Sequence, residues 1–221
     1  MLLPRFTDVR RLPVVLLLAL VFAGCAGGGP TKVPESGRDQ PSQVEAVEGQ
    51  PGTPAIPPEV QTRYEQAASA MAAGDFMDAE LRFKEFLILY PDYPGAHVNL
   101  AIIHANNEHN DAARSSLDAA LALNPNHPSA LNQLGMLLRR NGKFLEAEAA
   151  YMKAVTVSPD YALAHYNLGV LNELYLQRLD VALQNFEAYQ ALVGEDKQVE
   201  KWIADLRRRV AATQRTANVA E

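Results

Sequence analysis

The 221-residue chain carries 26 acidic against 20 basic side chains, a formal net charge of −6, and a single cysteine. That balance excludes a nucleic-acid interface, which needs a basic face to neutralise phosphates. One cysteine likewise excludes a disulfide framework.

Residues 1–24 open with Arg5, Arg10 and Arg11 and pass into the uncharged run LPVVLLLALVFA at 12–23. A basic start, a short apolar core and small residues after it form a secretory signal. The run is shorter than the roughly 20 apolar residues a spanning helix needs. The stretch VFAGC at 21–25 resembles the bacterial lipobox, with Phe22 standing where leucine is usual. That resemblance implies that Cys25 is diacylated and becomes the new amino terminus after cleavage. The only prosthetic group expected is therefore a covalent lipid on Cys25. Ala26 rather than an aspartate follows it, which by the same resemblance implies an outer-membrane anchor facing the periplasm. An ordinary secretory signal and an uncleaved inner-membrane anchor are the competing readings.

Residues 25–58 comprise the expected lipidated cysteine and a tether. From Ala26 on they hold seven of the 14 prolines and six of the 13 glycines, with no aromatic residue and no leucine. Such a segment cannot bury a core. As a flexible chain it reaches about 30 Å.

From Glu59 the apolar residues fall at helical spacing, which predicts an all-α fold. Pro91, Pro125 and Pro159 stand 34 residues apart, as do Leu100, Leu134 and Leu168. Ala79, Ala113, Ala147 and Ala182 are each followed four residues later by Phe83, Leu117, Tyr151 or Phe186. This pattern resembles the tetratricopeptide repeat, most fully over 128–161, where Leu134, Gly135, Gly142, Ala147, Tyr151, Ala154 and Pro159 keep the family spacing. The resemblance implies a solenoid of about four helix-turn-helix repeats over 59–193 (60–93, 94–127, 128–161 and 162–193). Ala or Gly at 67, 101, 135 and 169 is expected to face the alanines of each second helix. Gly74 and Gly142 are expected to break the chain between paired helices. Glu108 replaces that glycine in the second repeat. The fourth repeat has one extra residue within 172–179 and no glycine, which predicts a longer first helix. Leu174, Tyr175 and Leu176 there either pack on the cap or protrude as a contact.

Within 194–216, Val199, Trp202, Ile203, Leu206 and Val210 share one helical face, as a capping helix requires. Trp202 is expected to cover the last repeat, and Arg207, Arg208 and Arg209 to be solvated opposite the negative end of the helix dipole. Residues 217–221 form a tail.

The sequence contains no nucleophile elbow, phosphate-cradling glycine loop or paired-cysteine metal motif, so the expected protein is not an enzyme. His97 and His165 share one repeat position and are read as packing residues. His104, Glu108 and His109 are the only spacing that suggests a metal-dependent alternative, and two or three loose ligands are a weak metal shell.

The family resemblance instead implies a partner-binding groove on the first helices. One row is Tyr64, Val98, Asn132 and Tyr166; a second includes Ile102, Met136 and Val170; Asn99, Gln133 and Asn167 form an amide ladder beside them. Arg139 and Arg140 add a basic spot suited to a carboxylate. Two readings stay open for the amides, ligand contact or bonding within the scaffold. The lysine clamp of some family members has no counterpart, because Tyr64 and Val98 stand at its positions. The expected function is a membrane-anchored scaffold that captures a segment of another envelope protein, in assembly of a pilus, secretion or energised transport machine. The alternative is an adaptor delivering substrates to a periplasmic protease.

Overall fold

The computed structural model describes residues 57–219, with side chains to 215. The expected signal, Cys25 and most of the tether lie outside the described residues. Paired helices follow one another: α1 (Pro58–Ala72) with α2 (Phe76–Leu89), α3 (Pro94–Asn106) with α4 (Asn110–Leu123), α5 (Pro128–Arg140) with α6 (Phe144–Val157), and α7 (Ala162–Leu174) with α8 (Leu179–Val193). A final helix, α9 (Lys197–Val219), packs on α8. All the described regular structure is helical, and none of these helices is long and apolar enough to cross a membrane.

Local chemistry sets the ends. Pro58, Pro94 and Pro128 open α1, α3 and α5, where proline's fixed φ suits the first turn and its missing N–H is not needed. Asp75 caps α2 by accepting from the Asp78 N–H at 3.1 Å. Between paired helices the chain turns through the left-handed region, at φ +80° for Gly74 and +73° for Gly142. Glu108 makes the same turn at φ +60°, so the substitution leaves the geometry intact and places a side chain where glycine is favoured.

In the fourth repeat α7 keeps the 13 residues of α3 and α5, contrary to the longer helix expected. The extra residue enters the turn instead, where Gln177 takes φ +55°. Leu174, Tyr175 and Leu176 do not protrude. They pack against neighbouring clusters, and the Tyr175 ring lies 4.6 Å from that of Phe144.

The third and fourth hairpins close by a small residue meeting a large one. A Cβ on Gly135 would lie 2.4 to 2.8 Å from the Tyr151 ring, and one on Gly169 at 2.8 to 2.9 Å from that of Phe186. The glycines therefore face the aromatic four residues past the expected alanine, within their own hairpin. The alanines Ala79, Ala113, Ala147 and Ala182 are nonetheless fully buried, and all four lie on the core faces of the second helices.

The cap forms as expected on α8. Val199, Ile203 and Leu206 are buried, each contributing about 1.5–3 kcal/mol. Trp202 lies 5.7 Å from the ring of Phe186 and 6.1 Å from that of Tyr166. Asp196 starts α9 by accepting from the N–H of Gln198 at 2.9 Å and of Val199 at 3.1 Å. Two of the three arginines are more than solvated charges. Arg207 pairs with Glu187 at 2.7 Å and Arg209 with Glu173 at 2.9 Å, tying the cap to the last repeat.

Candidate functional site

The side chains expected to line an open groove are mostly buried. Tyr64, Val98, Asn99, Ile102, Asn132, Arg139, Tyr166, Asn167 and Val170 are all at 7 % exposure or less. For the aromatics the cause is packing on their own hairpins. Tyr64 stands edge-on to Phe83 and Phe86 at 5.4 and 5.3 Å, and Tyr166 to Phe186 and Tyr189 at 5.9 and 5.2 Å. Val98 and Ile102 belong to a core cluster that runs from the first repeat into α5, and Val170 to that of the cap.

The amide ladder bonds the scaffold to itself. Asn99 donates to the Tyr64 hydroxyl at 2.9 Å, and Asn167 donates to Asn132 Oδ1 at 2.7 Å. Each bond crosses one repeat boundary between first helices. A buried amide without a partner costs about 1–3 kcal/mol, so these bonds fix register between repeats.

The adjacent arginines have different fates. Arg139 is buried, with its guanidinium 5.9 Å from the Tyr175 ring centroid. Arg140, one helical step round, is exposed and donates to the Ala105 carbonyl oxygen across the repeat boundary at 3.2 Å. Of the expected groove, Gln133, Met136 and Arg140 keep accessible surface.

Arg140 reaches into a cleft of about 420 Å³ between the turns of the second and third repeats. Ala105, Asn106, Glu108, Asn110 and Asn141 complete its lining. A second cleft of about 660 Å³ shares Glu108, Asn110 and Asn141 and adds His109, Asp111 and Ala112. The shared wall is polar, made of the Asn110 and Asn141 amides, which both donate and accept, and the Glu108 carboxylate projected by its left-handed turn; the exposed Arg140 guanidinium belongs to the first cleft alone. Of these cleft residues, only Arg140 is among the groove contacts expected from the sequence. Glu108 standing in place of the repeat's turn glycine was the one local signal for the rest.

His97, His104 and His165 are held within the scaffold. His165 lies 3.0 Å from the Pro159 carbonyl oxygen and 3.4 Å from Asn185 Oδ1. Burial pushes the His97 ring below its ordinary pKa, against a bond to the Pro91 backbone that raises it. Burial also lowers that of His104, with Glu80 acting the other way. The rings of His104 and His109 are 6.5 Å apart, and no group of three or more metal-ligating side chains occurs among the described residues.

Stacked helical hairpins with self-bonded boundaries and polar clefts between turns define a protein-interaction scaffold. The tetratricopeptide repeat profile matches residues 64–128, 100–157 and 132–198, and the chain belongs to that family. Human protein O-mannosyl-transferase TMTC2 is 42% identical over 59 residues, 27% of this chain and 7% of TMTC2. Photosystem I assembly protein Ycf3 of Rippkaea orientalis is 34% identical over 101 residues, 41% of this chain and 58% of Ycf3. The chain thus spans less than two thirds of the length of these relatives. The solved structure of pilF from Pseudomonas aeruginosa superposes with a TM-score of 0.62 at 23% identity, over 70% of this chain and 72% of that one. At that identity the likeness is one of fold.

Proposed function

We propose that the protein is a membrane-anchored scaffold that assembles a bacterial envelope complex by holding a segment of another envelope protein at the cleft beside Arg140. The observation that carries this reading is the exposed guanidinium fixed to the Ala105 carbonyl oxygen in a polar cleft of about 420 Å³. A guanidinium already held in place loses little freedom on taking a carboxylate, and the surrounding amides suit a peptide backbone. The anchor on Cys25 acts by confinement, raising the concentration of the scaffold near membrane-borne partners. The likeness to Ycf3, a photosystem I assembly protein, supports assembly over delivery to a protease.

The test is crosslinking in the native host followed by affinity purification and mass spectrometry, with Cys25→Ser and Met136→Glu/Arg140→Glu controls. Recovery of a pilus, secretin or transport-motor component, lost in the double variant while helicity is kept, is expected. Recovery of a protease together with envelope substrates would overturn the assembly reading.

A further inference from the structure

The overall acidity of the chain hides a local reversal. Over Lys197–Val219, α9 contains six Lys and Arg against two acidic residues, in a chain whose net charge is −6. Two of the cations lie on opposite flanks of the helix and four on its outward face. Arg207 and Arg209 turn toward the last repeat and pair with Glu187 and Glu173. Lys197, Lys201, Arg208 and Arg215 fall within about 40° of arc at 3.6 residues per turn, opposite the buried Val199, Ile203 and Leu206. All four are exposed, as is Ala204 among them. Arg208 has its ion-pair partner, Asp205, on the same helix at 2.9 Å. At 1.5 Å per residue the stripe runs about 27 Å.

We infer that this outward face of α9 is a docking surface for anionic phospholipid headgroups. A straight row of spaced cations with alanine between them offers neither a groove nor an apolar ridge. Neither cleft described above is lined by α9. Charge complementarity with a flat, repeating array of phosphates is what such a row provides, at about a fivefold gain in affinity per cation close to the surface. The acidic remainder of the chain is repelled by the same surface, so the charge separation also sets orientation: α9 faces the bilayer and the repeats face away. The inference rests on the membrane-anchored reading for the source of the surface, but the contact itself needs no lipid on Cys25.

The experiment uses the full chain carrying Cys25→Ser, so that no acyl group contributes. Binding is measured to neutral phosphatidylcholine vesicles and to vesicles with about 30 mol% phosphatidylglycerol, at about 50 and 300 mM salt. Binding at least about tenfold tighter to the anionic vesicles, and weakened by salt, is expected. The variant Lys197→Gln/Lys201→Gln/Arg215→Gln loses that selectivity with its helicity unchanged, and Ala204→Lys increases it. Equal binding to both vesicle types, or a triple variant that binds as the parent does, overturns the proposal. Selective capture of a poly-glutamate peptide without vesicle selectivity also overturns it, in favour of an acidic protein partner. Loss of acylation at Cys25 in the native host would count against the anchor alone and leave these readouts unaffected.

Discussion

Asn167 donates its side-chain amide to Asn132 Oδ1 at 2.7 Å, with both residues buried, joining the first helices of the third and fourth repeats. Asn132→Ala should therefore cost about 1–3 kcal/mol, because it leaves the Asn167 amide without its acceptor in a site closed to water. The expected result in urea is a lower unfolding midpoint at unchanged slope. A double-mutant cycle with Asn167→Ala should return a coupling of at least about 0.5 kcal/mol.

Glu108 turns at φ +60° where the first and third repeats use glycine. Glu108→Gly should raise stability by about 0.5–1 kcal/mol, the left-handed penalty outweighing glycine's extra chain entropy. Gly142→Ala should lower it by a comparable amount even though nothing lies within 4 Å of the added Cβ. Thermal unfolding of the two variants should shift in opposite directions.

Gly135 meets the Tyr151 ring at distances no Cβ tolerates. Gly135→Ala should destabilise by about 1–3 kcal/mol through overpacking. The second repeat pairs Ala101 with Leu117 at the same positions, so adding Tyr151→Leu should restore part of the loss. No recovery in the double variant would mean that the backbone separation of α5 and α6, and not ring size, sets the limit.

Burial lowers the pKa of both His97 and His104, so the folded state favours the neutral rings more than the unfolded chain does. The unfolded chain then binds more protons as pH falls below the ordinary histidine value of about 6.5. Stability should be flat above that pH and decline below it, continuing until the lowered folded-state values are passed. His97→Gln with His104→Gln should flatten the profile between about pH 5 and 7.

The repeat was legible because each of its residues recurs with one physical job. Pro91, Pro125 and Pro159 stop helices, Gly74 and Gly142 turn left-handed, and Ala147 and Ala182 let helices pack. Periodicity assigns a side chain to a face of its helix, but it does not say what covers that face. The row from Tyr64 to Tyr166 was therefore placed on the correct helices and expected to be open, whereas its aromatic members pack on their own hairpins. Arg139 and Arg140 show the same limit at one residue's spacing. Both are arginines at a helix end, yet one step of rotation puts the first against Tyr175 and the second in solvent. The cation stripe on α9 is only partly legible, since of the arginine cluster Arg208 alone belongs to it, and Arg207 and Arg209 separate from it through their pairing with Glu187 and Glu173.

The amide bonds between first helices come in alternation. Tyr64 and Asn132 each present an acceptor to the following repeat, through Asn99 and Asn167, while Val98, at the same position between them, has none to present to Gln133. The junction between the second and third repeats thus lacks the amide bond of the other two and is held at its turns by Arg140 on the Ala105 carbonyl oxygen, where the clefts lined by Glu108 open. A partner seated there would act as a further rivet, stiffening that junction by filling the gap beside it.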